Sequence, residues 1–225
     1  MAPSAPGKRG YHHGDLRNAL VTAAAELAAK GGPGSVTIRA AAREVGVTPT
    51  AAYRHFAGHE ELLAAAKEYA MAELTDAMNA EVATLPALSD PVHDALTRLA
   101  AIGRGYIVFA RSQPGLFRTV FSPEGMVLPP PEDREGRGPY LMLLNSLDEL
   151  VEVGFLSADR RLMAEVSAWA MVHGLATLLD GPLRDLPESA QDDAIVRSMV
   201  VLGHGLGGNG IPPDLEASLM EGLTA

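Results

Sequence analysis

An all-α fold is what this 225-residue chain predicts. Three observations carry it. Apolar residues recur at helical spacing along nearly the whole chain, and no strand-like alternation persists. Gly-rich, Thr-Pro and Asp-Pro stretches punctuate the segments where helices should stop and start. About nine helices are expected, a small N-terminal group of three followed by a larger helical bundle.

The first helix opens near Gly14 behind a Pro/Gly/Ser/Lys arm, with Leu16, Leu20, Ala23, Ala24 and Leu27 as its apolar stripe. GGPGS at 31–35 stops it, because Gly favours a C-cap and Pro cannot continue a helix. Thr37 is the expected N-cap of a short second helix with Ile38, Ala41, Ala42 and Val45 on one side, and Gly46 breaks it. Thr48-Pro49 restarts the chain, a capping hydroxyl followed by Pro where the missing N–H costs nothing. This third helix is expected to run two turns, to Ala57-Gly58, before a long fourth helix from His59 to about residue 85. Ser89-Asp90-Pro91 opens a fifth helix reaching Ser112, and Pro114 opens a short sixth, PGLFRTVF. Residues 122–138, rich in Pro, Gly and charge, read as a surface loop. Helical segments follow at 139–154, 159–180 and 187–206, and then a loose tail.

The last two segments are apolar on nearly every side, from Val166 to Leu179 and from Ile195 to Leu206. A helix without a polar face must be buried all round. It is either fully internal or shared between the chain's own core and a second copy of the chain. A homodimer through these two helices is the expectation.

Charge divides the chain in the same place as the helix pattern. Net charge is −10, but residues 1–60 carry +3 and the remainder −13. A small basic head on an acidic body suits a polyanion partner for the head alone. No cysteine is present, which excludes disulfides, thiolate metal ligands and a thiol nucleophile. The N-terminal MAPSAPGKRGYHHGD lacks the apolar centre of a signal peptide, and no run reaches the roughly 18 residues of a membrane span. A cytoplasmic location, no membrane partner, no cofactor and no enzymatic activity are expected. No Gly-x-Ser-x-Gly, His-Glu-x-x-His or phosphate-binding Gly loop occurs. His12-His13 is a poor preformed metal site.

Helix, Gly turn, short helix is the spacing of a helix-turn-helix. Ala52 and Phe56, four apart, point at the core, while Thr50, Tyr53 and Arg54 lie on the opposite face. Such a face suits a DNA groove, where hydroxyls and Arg reach phosphates and base edges. Thr37 and Thr48 stand at helix N-termini that favour anions. Arg39 and Arg43 are one turn apart and could track a phosphate strand, and Lys8, Arg9 and Arg17 could reach it from the arm. Spacing alone does not decide, because many helical proteins contain a helix–Gly–helix segment.

The stretch TIRAAAREVGVTPTAAYRHFAGHEELL resembles the DNA-binding head of the TetR family of bacterial one-component regulators, in register over about 50 residues. WAMVHGLATLL at 169–179 and YHHGDLR near the N-terminus resemble one subgroup with a Trp-x-x-x-His-Gly motif. The resemblance implies an all-α homodimer on a palindromic double-stranded DNA operator, released by a small-molecule effector. Residues 1–58 would form the DNA-binding domain and 59–225 the ligand-binding and dimerisation domain. Carried over by position, Thr48, Pro49, Thr50, Ala51, Tyr53 and Arg54 would form the recognition surface, with Thr37, Tyr53 and His55 on phosphates. His59 departs from the family's usual Lys, and Ala52 from a larger apolar residue.

A regulator of that kind needs an effector site. Ile102, Tyr106 and Phe109 share a stripe, Phe117 and Phe121 are one turn apart, and Trp169 and His173 lie four apart on one face. Each aromatic would serve equally in ordinary core packing. His173 interrupts an apolar helix and needs a partner, which a ligand, a backbone carbonyl or a buried water would each supply. Arg104 and Arg111 read as a solvated face, and His93 and His204 as surface residues. A repressor released by a small apolar or amphipathic effector is the expectation. A constitutive dimeric DNA-binding protein, or a small-molecule-binding protein with a weakened head, is the alternative.

Overall fold

The computed structural model describes residues 13–123 and 138–207, with side chains from Leu16 onward. Lys8, Arg9 and the side chains of His12-His13, the interior of the 122–138 loop and the tail lie outside the described residues. The described residues form nine α-helices and a 3-10 turn, with no strand among them. The helices are α1 His13–Gly31, α2 Ile38–Val45, α3 Pro49–Ala52, α4 His59–Ala83, α5 Pro91–Ser112, α6 Pro114–Val120, α7 Pro139–Glu152, α8 Ala164–Asp180 and α9 Glu188–Gly207.

They gather into two compact units. The first comprises the chain up to Ala72 and the segment beginning at Gln113, so it holds α1–α3, the first part of α4, and α6. The second holds Glu73–Ser112 and α7–α9.

The first unit has a core of small residues. Leu20, Ala23, Ala24, Ala28, Ile38, Ala41, Ala42, Ala52 and Phe56 are buried. Small side chains allow α1, α2 and α3 to approach closely, and Gly46, at φ 76° and ψ 28°, supplies the left-handed turn between α2 and α3. The shortest approach is at α6. A Cβ on Gly115 would overlap the carbonyl oxygens of Ala28 and Ala29 at the end of α1. Thr119 is fully buried and donates its hydroxyl to the Gly115 carbonyl at 2.8 Å. At the other end of α6, Lys67 Nζ donates to the Ser122 carbonyl at 2.9 Å.

The second unit is built around leucines: Leu99, Leu143, Leu147, Leu150, Leu156, Leu202 and Leu206, with Ala95, Ala164 and Ala168. Gly105 on α5 lets that helix reach α4, since a Cβ there would lie 2.6 Å from Met78 Cα.

Two helices differ from the spacing-based expectation. The α-helical part of α3 is one turn, not two; from Arg54 to His55 the hydrogen bonds tighten to i−3, and Phe56 returns to the Ala52 carbonyl. α8 begins at Ala164, not 159. Met163 takes φ 60°, which no continuing right-handed helix permits. Arg161, bonded to Asp148 and Glu165 at 2.7 Å each, ties this turn to α7 and the start of α8.

α8 and α9 each bury one face and expose the other. Ala164, Ala168, Val172, Leu175, Ala176 and Leu179 point inward, while Val166, Ala170 and Leu178 are exposed. On α9, Val196, Val200 and Val201 are exposed, Val201 at 61%. Neither helix is fully internal to the single chain.

Candidate functional site

In the first unit the two turns that open α2 and α3 are capped by threonine, as the sequence predicts. Thr37 Oγ1 accepts the Ala40 N–H at 3.1 Å, and Thr48 Oγ1 accepts the Ala51 N–H at 3.3 Å. Each hydroxyl still has a proton to donate, and each stands beside uncapped N–H groups of a helix start. α3 then sorts its side chains by burial. Ala52 and Phe56 are fully buried. Thr48, Pro49, Thr50, Tyr53 and Arg54 are exposed, Tyr53 at 52%, and Ala51 and His55 are half-buried. Thr37 at the N-cap of α2, Arg39 and Arg43 on it and His59 at the start of α4 are exposed as well. A short helix presenting hydroxyls, a phenol and a guanidinium, with arginines one turn apart on the helix before it, is chemically equipped for phosphates and base edges.

Sequence spacing did not anticipate the arrangement behind α3. The Arg17 guanidinium lies 4.8 Å from the centroid of the Phe56 ring and 4.0 Å from a Glu61 carboxylate oxygen. The other oxygen of Glu61 accepts the Ala57 N–H at 2.7 Å.

The second unit holds a polar cluster between α5 and α8. Tyr106, only 4% exposed, has its hydroxyl 2.8 Å from His173 Nδ1 and receives the Trp169 indole N–H at 3.2 Å. Trp169 can only donate. When the Tyr106 hydroxyl donates to Nδ1, His173 is neutral and carries its proton on Nε2. Burial favours that state, pushing the His173 pKa below its ordinary value and the Tyr106 phenol well above its own. Tyr140 of α7 meets Trp169 edge-on at 6.4 Å, a neighbour the sequence reading missed, signalled only by an aromatic opening an apolar helix. Ile102 and Phe109 are buried on the same α5.

Phe117 and Phe121 lie in the first unit, their rings tilted against each other with centroids 4.9 Å apart. Arg104 and Arg111 face carboxylates of their own chain, Glu81 at 3.2 Å and Asp192 at 3.3 Å. No group of three or more potential metal ligands occurs among the described residues. None of their helices is long and apolar enough to cross a membrane.

Residues 20–66, which span the Thr-capped helices and the exposed face of α3, match the family model for bacterial regulatory proteins of the tetR family. Residues 99–202 match the model for the C-terminal domain of tetracyclin repressor-like proteins. The chain belongs to the TetR family. Solved TetR-family structures share its fold: a transcription regulator from Marinobacter aquaeolei is 17% identical over 82% of this chain and 93% of its own, with a TM-score of 0.59. The TetR-family regulator PfmR from Thermus thermophilus is 21% identical over 81% and 96%, with a TM-score of 0.52. A protein of unknown function from a Rhodococcus species is 26% identical over 89% of this chain and all of its own, with a TM-score of 0.70. No curated protein matches the chain. Membership of the TetR family places the chain among DNA-binding transcription regulators, which act as dimers.

Proposed function

We propose that this TetR-family protein is a repressor that binds a palindromic operator as a homodimer and releases it on taking up a small apolar or amphipathic effector. The observation that carries the reading is the sorting of α3. Its inward residues are apolar, and Thr48, Thr50, Tyr53 and Arg54 face solvent; Thr37 at the N-cap of α2, Arg39 and Arg43 on α2 and His59 are exposed too, and His55 is half-buried. In this reading residues 1–58 bind DNA, and 59–225 take up the effector and dimerise.

Two features of the second unit support the rest. The exposed valines of α9 and the exposed Val166 and Leu178 of α8 give an apolar face suited to a second copy of the chain. Gly174, Gly203 and Gly205 have nothing within 4 Å of where a Cβ would sit, so packing within the chain does not require them. Glycine costs a helix about 1 kcal/mol relative to alanine, and close approach of a partner helix gives it a use. The Tyr106–His173–Trp169 cluster, with Ile102 and Phe109, supplies polar recognition in an apolar setting, the usual chemistry of an effector site. The Trp169-x-x-x-His173-Gly174 motif supports assignment to the subgroup that the sequence resembles.

An effector binding one DNA-spacing state better than the other would shift the population of dimers whose recognition helices stand about 34–36 Å apart, one turn of DNA. No cofactor or enzymatic step enters, and the protein would act in the cytoplasm. The test is a gel shift on the duplex upstream of its own reading frame. Wild type should bind tightly at low salt and more weakly as salt rises. Arg39→Ala and Tyr53→Phe should each weaken binding. A wild type that ignores this duplex at low salt would overturn the reading.

A further inference from the structure

We infer that Arg17 is a positioning residue for the DNA-reading helix and not a phosphate ligand, an inference that rests on the reading of the first unit as a DNA-binding module. The sequence places Arg17 near the start of α1, beside the basic arm, where its charge would reach toward DNA. The structure gives that charge another use. The guanidinium faces the Phe56 ring at 4.8 Å and Glu61 at 4.0 Å, and Glu61 in turn holds the Ala57 N–H at 2.7 Å. One side chain thereby touches α1, the turn that ends the recognition segment and the first turn of α4.

The chemistry suits arginine in particular. Its planar guanidinium can lie against an aromatic ring and pair with a carboxylate at once, whereas the compact ammonium of lysine makes a point contact. Glu61 is well placed to take part, since a carboxylate in the first turn of a helix is favoured by the helix dipole and by N–H groups lacking helical partners. Phe56 is what this arrangement holds. It is fully buried and shares its inward face with Ala52, one turn earlier. With only the small Ala52 beside it on that face, the Phe56 ring supplies most of the apolar bulk that seats α3. Holding that ring holds the short segment that carries the exposed Tyr53 and Arg54. Half-exposed as it is, with a side-chain exposure of 49%, Arg17 still acts through Phe56 and Glu61.

Phosphate contact and positioning differ in their salt dependence. Each neutralised phosphate contributes close to one unit to the slope of log affinity against log salt, whereas a positioning residue leaves the slope alone. The full-length protein is titrated by fluorescence anisotropy against its own upstream duplex over a range of salt. The variants are Arg17→Ala, Arg17→Lys, Glu61→Gln, the Arg17→Ala/Glu61→Gln double, and Arg39→Ala as the phosphate-contact reference.

Arg17→Ala should lower affinity about five-fold, the worth of a surface ion pair plus a cation–π contact, with the wild-type salt slope retained. Arg17→Lys should not restore the affinity, and Glu61→Gln should add nothing in the Arg17→Ala background. Arg39→Ala should lower the slope by about one. A slope that falls by about one in Arg17→Ala, with affinity restored by Arg17→Lys, overturns the proposal. Hydrogen exchange without DNA gives an independent reading. Arg17→Ala should speed exchange over residues 53–61 while Arg39→Ala does not, and unchanged exchange there overturns the proposal even if DNA binding is intact. A wild type that fails to bind the duplex counts against the regulator reading alone, and the exchange result still decides the role of Arg17.

Discussion

In α2 and α3 of the first unit the polar groups sit outside and the buried face is apolar. Ala41, Ala42, Ala52 and Phe56 are buried, while Thr48, Thr50, Tyr53 and Arg54 face solvent. The second unit reverses this. Its polar cluster gathers at the buried Tyr106, with Trp169 and His173 half-buried, and its outer helices expose Val196, Val200, Val201 and Leu178. A hydrated, charged partner such as DNA is met by groups that keep their water until binding. An apolar partner is met by surface whose removal from water is itself favourable, by roughly 25 cal/mol per Å². Buried polar groups, in turn, stay stable only when hydrogen-bonded to each other or to what they bind. The two burial patterns thus suit two different recognition chemistries.

The contrast breaks most visibly at α9. Val196→Glu combined with Val200→Glu should raise the dimer dissociation constant by about 100-fold or more. Light scattering would then report a monomer with helical circular dichroism unchanged. A variant that stays dimeric would remove the exposed stripe from the interface.

Two glycines differ next in what the missing Cβ allows. Gly115→Ala forces a methyl onto the Ala28 and Ala29 carbonyls and should cost about 1–3 kcal/mol in urea unfolding. Gly203→Ala, with nothing within 4 Å, should leave the monomer no less stable, and it weakens the dimer only if a partner helix seats there.

Arg54→Ala sharpens the claim that the first unit carries its function on its surface. Operator affinity should fall by about ten- to one-hundred-fold, the worth of a base-edge or phosphate-bound arginine, while stability shifts by no more than about 0.5 kcal/mol. Loss of stability in step with loss of binding would contradict it.

The smallest effect belongs to His173. Burial lowers its pKa in the folded state, so below the ordinary value of about 6.5 the unfolded chain binds the proton more readily than the folded one. The stability from neutral His173 is therefore full above that pH and declines as pH falls toward the folded value. Wild type should lose more melting temperature than His173→Gln on going from about pH 7.5 to about 5.5. Equal losses would show that the Tyr106 contact does not depend on the neutral imidazole.

Much of the first unit was legible in the sequence because its signals are local. Thr37, Thr48-Pro49 and Gly46 act on the residues beside them, and the four-residue spacing of Ala52 and Phe56 separates inside from outside. The length of α3 was not legible. Its bonds tighten to i−3 after Tyr53, a change that no residue type at 53–55 forces. In the second unit the start of α8 was missed for a related reason. Met163 is an unremarkable helix residue by propensity, and only its place in the turn held by Arg161, Asp148 and Glu165 turns it left-handed.

By itself the sequence determined what depends on neighbours along the chain: helix periodicity, caps, the Gly46 turn and the sign of charge on each part. These rest on interactions within about four residues, and every residue type carries them wherever it stands. Tertiary structure alone decided which distant groups meet: Arg17 with Phe56 and Glu61, Gly115 with the end of α1, and Tyr106 with Trp169 and with His173, 63 and 67 positions away. Such pairings depend on how whole helices pack, and packing follows from shape and volume summed over many side chains.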